Sequence, residues 1–169
     1  MREYVLTSAF GGVAMSTDAY VFAPGTGPVL DMGPFRMTVK ASATQTQGGL
    51  TILEANEPPG FGPPMHIHDD AGEAFYVLEG EYIVFIGAAE HRCPAGAFVW
   101  VPAGVEHGFR VGSSASRKLN IYVPAAMEGY FAALAASVTS NTTLGQHELT
   151  DLAAEHAMRV TGPVPQGYV

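Results

Sequence analysis

Short apolar runs bounded by glycine and proline recur along the first three quarters of the chain. Phe35 to Lys40 alternates apolar and polar residues, the period of a strand with one buried face. Further runs rich in Val, Ile, Phe, Tyr and Thr lie at Leu50–Glu54, Ala74–Leu78, Tyr82–Ile86, Phe98–Val101, Gly108–Val111 and Leu119–Val123. Many short strands at close spacing predict a β-sandwich or a small barrel. No long helical segment separates them, which argues against a parallel α/β sheet. The pattern changes after Pro124. Met127, Phe131 and Leu134 stand at i, i+4 and i+7 in an alanine-rich stretch, the signature of a helix with one apolar face. Thr150 to Met158 predicts a second short helix with Thr150 as N-cap, stopped by the prolines at 163 and 165. The expectation is one domain over residues 1–169, with a β core at about 28–124 and a helical extension at about 125–160.

Composition narrows the function class. The chain has 169 residues, 47% of them hydrophobic and 14% charged, enough for a core that needs no disulfide. A net charge of −8 with no Lys/Arg cluster argues against a nucleic-acid or anionic-membrane partner. No apolar run approaches the roughly 20 residues of a membrane helix. The single cysteine, Cys93, is read as an inert residue in a turn, and the expected location is the cytoplasm. Tyr4–Met15 is apolar but interrupted by Thr, Ser and two glycines, and no secretory signal is expected there.

Candidate chemistry concentrates at Pro63 to Glu73, PPMHIHDDAGE. In a strand, His66 and His68 point to one face and Ile67 to the other. Glu73 opens the next strand, with Phe75 and Val77 on its side. Two imidazoles and a carboxylate suit a first-row transition metal with open positions left for substrate. His107, Phe109 and Val111 share a face of a strand after the Pro102–Gly104 turn, and His107 supplies a third imidazole if that strand lies alongside.

These residues fall on two spaced motifs, and through them the chain resembles the cupins. Gly-x5-His-x-His-x(3,4)-Glu-x6-Gly falls on Gly60, His66, His68, Glu73 and Gly80. Gly-x5-Pro-x-Gly-x2-His-x3-Asn falls on Gly96, Pro102, Gly104 and His107, with Val111 in place of the final Asn. The resemblance implies an all-β fold, a cupin-type antiparallel β-barrel of jelly-roll form with short C-terminal helices. It implies one divalent ion (Fe, Mn, Ni, Co, Cu or Zn) on His66, His68, Glu73 and His107, and a homodimer. Segments such as Pro59 to His68, Glu73 to Tyr82 and the Met127–Phe131 helix are similar to single-domain cupins of the quercetin 2,3-dioxygenase-like group. That likeness implies a dioxygenase acting on a planar phenolic or enolic compound, with Glu73 taking the proton of the substrate hydroxyl. A non-oxidative isomerase or lyase using the same ion as Lewis acid, and a binding protein without turnover, are the alternatives.

Other residues have plainer readings. Asp69 and Asp70 are expected in a solvated turn, His91, His147 and His156 on the surface, and Glu106 facing solvent. Phe75, Phe109, Val111, Met37 and Trp100 are the candidates for a small-molecule pocket. Among Arg36, Lys40, Arg92, Arg110, Arg117 and Lys118, most alternate away from the apolar side of their strands, and none is a convincing inward-facing cation.

Overall fold

The computed structural model describes residues 19–165, so Tyr4–Met15 lies outside the described residues. Eleven strands and two helices follow in chain order: β1 Val29–Asp31, β2 Arg36–Ala41, β3 Thr51–Glu57, β4 Met65–His68, β5 Gly72–Glu79, β6 Glu81–Ile86, β7 Ala89–Pro94, β8 Phe98–Val101, β9 His107–Val111, β10 Ser116–Val123, α1 Glu128–Thr139, α2 Gln146–Glu155 and β11 Met158–Gly162. They form a six-stranded sheet ordered β1-β2-β3-β10-β5-β8 and a five-stranded sheet ordered β11-β4-β9-β6-β7. Every strand pair is antiparallel. Among the described residues no strand pair joins the two sheets, so the jelly roll is a pair of facing sheets whose edges stay open rather than a closed barrel.

Three strands depart from the sequence expectation. β1 is only three residues long. β7 is an outer strand with five of its six residues exposed, so it lacks an apolar face that would announce it. It also moves Cys93 from the expected turn into a strand, where the thiol is buried. β11 occupies Met158–Gly162, where the sequence suggests a helix end and a stop. The second helix runs instead from Gln146 to Glu155, and Thr150 is internal to it, its hydroxyl bonded back to the Gln146 carbonyl. Its N-cap is Gly145, whose N–H donates to the Glu148 carboxylate at 2.7 Å.

The core divides around the interior space. One cluster joins β2, β3 and α2 through Met37, Val39, Leu53, Ala55 and Ala153, with Phe131 and Leu134 of α1 packed on it. A second joins the sheets through Phe75, Val77, Tyr82, Val84, Phe109 and Val111. Between the clusters lies the cavity described below.

Gly80 shows how tightly the β5–β6 turn is held. Its φ is +73°, and a Cβ there would sit 2.7 Å from Ser116 Cβ. The Ser116 hydroxyl accepts the Glu81 N–H at 3.0 Å in the same corner. Gly80→Ala is therefore expected to cost about 2–4 kcal/mol, combining a left-handed backbone with a steric clash. Chemical denaturation measures it; a change below about 0.5 kcal/mol would contradict this account.

Candidate metal centre

The site is assembled from three strands. β4 alternates as its His-x-His pattern requires, with His66 and His68 buried and Ile67 partly exposed. β9 pairs with β4 at one register position, His66 opposite His107. The Gly104 N–H donates to the His68 carbonyl at 2.8 Å, so the turn before β9 is pinned to β4. Glu73 enters from the facing sheet on β5. The ligand atoms of His66, His68, Glu73 and His107 lie within 4.8 Å of one another and all four residues are buried.

The imidazoles are oriented for coordination. His66 Nδ1 lies 2.8 Å from the Pro64 carbonyl, and His107 Nδ1 lies 2.9 Å from that of Val105. A carbonyl accepts only, so each Nδ1 carries a proton and each Nε2 is turned toward the cluster. The Nε2 atoms of His68 and His107 converge on one oxygen of Glu73, at 3.1 and 2.9 Å. Burial pushes the Glu73 carboxyl up, but the hydrogen bonds from His107 and His68 outweigh it and hold the group well below the ordinary carboxylate range. Burial, with the neighbouring charge of His107, lowers His66 to about 4, so this imidazole is neutral and able to donate its lone pair at neutral pH. Burial also acts downward on His107, yet its contact with Glu73 raises it overall. Three nitrogens and one carboxylate oxygen gathered at this spacing fit a divalent transition ion.

Tyr122 was not legible as part of this site. It stands opposite Glu73 in the β10–β5 register, and burial together with that carboxylate's charge pushes its phenol well above the ordinary range. Its ring meets His68 edge-on at 5.5 Å.

Above the cluster is a cavity of about 250 Å³, walled by Met37, Phe61, Phe109, Tyr130, Phe131 and Met158 among others. Met37 and Phe109 thus line it, whereas three other sequence candidates do not. Phe75 and Val111 are consumed in the core beneath it. Trp100 is on the outer face of β8, 48% exposed, its ring lying over Gly72. A shallower groove of about 370 Å³, with Arg36 and Arg117 along it, holds none of the four cluster residues.

One expectation about charge is corrected. Lys118 faces the interior, and its side chain and that of Glu57 are each 1% exposed. The ammonium donates to Glu57 Oε1 at 3.0 Å and Oε2 at 2.8 Å, and both residues border the cavity. The interior face of β10 is Ser116, Lys118, Asn120 and Tyr122, all buried, while Arg117, Leu119, Ile121 and Val123 face outward. The polar side of this strand is inside, the reverse of the usual assignment.

The remaining residues fall largely as expected. Asp69 sits in an exposed turn and pairs with Arg159 of β11 at 2.8 Å. His91 and His147 are exposed, whereas His156 and Glu106 are half-buried.

Comparison with known proteins agrees with this geometry. Residues 54–122 match the family described as the Cupin domain. A stretch of 115 residues is 29% identical to quercetin 2,3-dioxygenase of Bacillus subtilis (strain 168), covering 68% of this chain and 34% of that protein. The chain therefore spans about a third of that relative's length. Among solved structures, an RmlC-like cupin from Shewanella frigidimarina NCIMB 400 superposes with a TM-score of 0.57 at 20% identity, over 68% of this chain and 99% of that one. The polyketide cyclase RemF from Streptomyces resistomycificus superposes with a TM-score of 0.56 at 17% identity, over 63% and 80%. At such identities the structural likeness concerns the fold.

Proposed function

The chain is a cupin similar to quercetinase-like proteins, and on that premise we propose that it is a metal-dependent dioxygenase acting on a planar phenolic or enolic compound. The observation that carries this reading is a buried three-His, one-Glu cluster, of which His66, His68 and Glu73 line a cavity walled by aromatic and methionine side chains. An apolar slot with a few convergent polar groups suits a flat ring system bearing an acidic hydroxyl.

His66, His68, Glu73 and His107 would hold one divalent ion, which when bound supplies Lewis acidity toward the substrate hydroxyl. The protein's own part follows from its side chains. Met37, Phe61 and Phe109 clamp the ring and exclude water. Glu73, held ionised by its neighbours, takes the hydroxyl proton, as a buried carboxylate within reach of substrate is suited to do. Tyr122, opposite Glu73 on the neighbouring strand, braces the carboxylate during that transfer.

A second reading has support in the Tyr122 contact. A proton-carrying hydroxyl against the catalytic carboxylate also serves an isomerase or lyase, in which protons are moved and dioxygen is not used. Oxygen uptake separates the two. The protein is reconstituted in turn with Fe, Mn, Ni, Co, Cu and Zn and offered a flavonol and phenol panel. Stoichiometric oxygen consumption with at least one ion supports the dioxygenase. Substrate conversion without oxygen uptake would replace it with the second reading.

The outer face of the six-stranded sheet suggests the oligomer. Phe98 and Trp100, 61% and 48% exposed, stand beside Tyr76 and Ala74 in register, with Leu119 and Ile121 behind them. A continuous apolar strip of this kind is suited to a second copy. A homodimer is expected in light scattering, and Phe98→Glu with Trp100→Glu should convert it to monomer. A monomeric wild-type protein would contradict this.

A further inference from the structure

Resting on the metal-centred reading above, we propose that the buried Lys118–Glu57 pair is a substrate-recognition element: it reads a second hydroxyl on the ligand, at the end away from the His/Glu cluster. The two polar poles stand on one strand. Tyr122, beside Glu73, and Lys118 are four residues apart on the inner face of β10, roughly 13 Å along the strand. Asn120 lies between them, and all three border the same cavity. The cavity is thus apolar on its sides and polar at two ends.

A salt bridge is a poor choice for stability in this position. Removing both charges from water consumes most of what their attraction returns, and apolar replacements of the same volume are often no worse. The pair is also not needed to bind the adjoining sheet, since β10 already pairs fully with β3 and β5. What it supplies at its end of the cavity is a donor next to an acceptor. Two of the ammonium's three N–H bonds are spent on Glu57. The Nζ atom lies 3.8 Å from the centre of the Phe109 ring, a residue that itself walls the cavity. Glu57 Oε2 already accepts the Tyr82 hydroxyl at 2.8 Å, so a phenol is a group this carboxylate takes. A ligand hydroxyl both donates and accepts. It can give its proton to Glu57 while receiving the third ammonium N–H, which otherwise has only the Phe109, Tyr82 and Phe75 rings beside it. A carboxylate cannot, because Glu57 would repel it; an aromatic C–H leaves both groups unanswered. The preferred ligand is therefore a planar compound with one acidic hydroxyl for the metal end and a neutral phenolic hydroxyl at the other.

The test uses zinc-loaded full-length protein under nitrogen, so that nothing turns over. The probes are 3-hydroxyflavone and its 7-hydroxy and 4′-hydroxy derivatives, followed by the absorbance of the bound flavonolate. At least one derivative is expected to bind about tenfold more tightly than the parent, the usual worth of a hydrogen bond to a charged group. The double variant Lys118→Met with Glu57→Gln leaves no lone buried charge and keeps an acceptor for Tyr82. It should bind the parent compound and zinc as wild type does and lose the preference. Equal wild-type binding of parent and derivatives, with zinc loaded, would overturn this inference alone. A preference that survives in the double variant would overturn it too. Failure of zinc to load would overturn the metal reading and this inference with it.

Discussion

His107→Ala is expected to leave a folded protein that holds no metal. His107 is the one ligand from β9, and it faces His66 across the only register pair joining β9 to β4. Changes to groups that merely support a ligand cost about 10–100-fold in metal affinity. Loss of a ligand itself should exceed that, and dialysed protein should contain essentially no ion by elemental analysis. Activity should fall with the metal. The fold should persist because the side chain belongs to neither of the apolar clusters that hold the sheets together. Glu73 also keeps His68 as a partner at 3.1 Å, so no unpaired buried charge is created. Retained circular dichroism and a cooperative melt check the first half of the expectation. A variant that retains a full equivalent of metal would show that the cluster does not bind as a unit, and collapse of the fold would make it a structural site.

Glu73→Gln separates two roles that the carboxylate combines. A glutamine keeps the shape and one oxygen but cannot accept a proton from substrate. If Glu73 is the base, turnover should fall by about 10²–10⁴-fold, the ordinary worth of general acid–base catalysis. Metal content should fall much less, since three imidazoles remain. Equal loss of metal and turnover would reduce Glu73 to a plain ligand. The two substitutions therefore have opposite signatures, and metal analysis beside kinetics distinguishes them.

The parts of the fold legible in the sequence were those where chemistry and period coincide. His66 and His68 on one strand face need only the alternation of side chains, and the Gly, Pro and His spacings placed Glu73 and His107 by resemblance. The seven apolar runs all became strands. What escaped was polar. β7 has no buried face to mark it beyond Cys93, and β11 follows so closely on α2 that helical period and strand pairing compete over Ala157–Met158. β10 misled in the opposite way. Leu119, Ile121 and Val123 look like the core side, yet they form the sheet's outer face, and the interior receives Lys118, Asn120 and Tyr122. Single-strand alternation identifies two faces but not which one is inside. Here buried polar side chains at the ends of the cavity and an apolar outer surface reverse the usual answer. The same reversal moved Trp100 outward and brought an ammonium inward.

The pairing of β11 with β4 bears on the order of events during synthesis. β4 meets β9 at a single position, whereas β11 runs alongside it from His68 to Met65. The Asp69 N–H is likewise tied to the Ala157 carbonyl, and its side chain to Arg159. The histidines at 66 and 68 thus leave the ribosome about ninety residues before the strand that seats them. A contact of that sequence separation forms late, because the intervening loop must close first. While the chain is still growing, the His-x-His segment is an edge without its neighbour, and the four-residue cluster acquires its supporting frame only after residue 162 has been added.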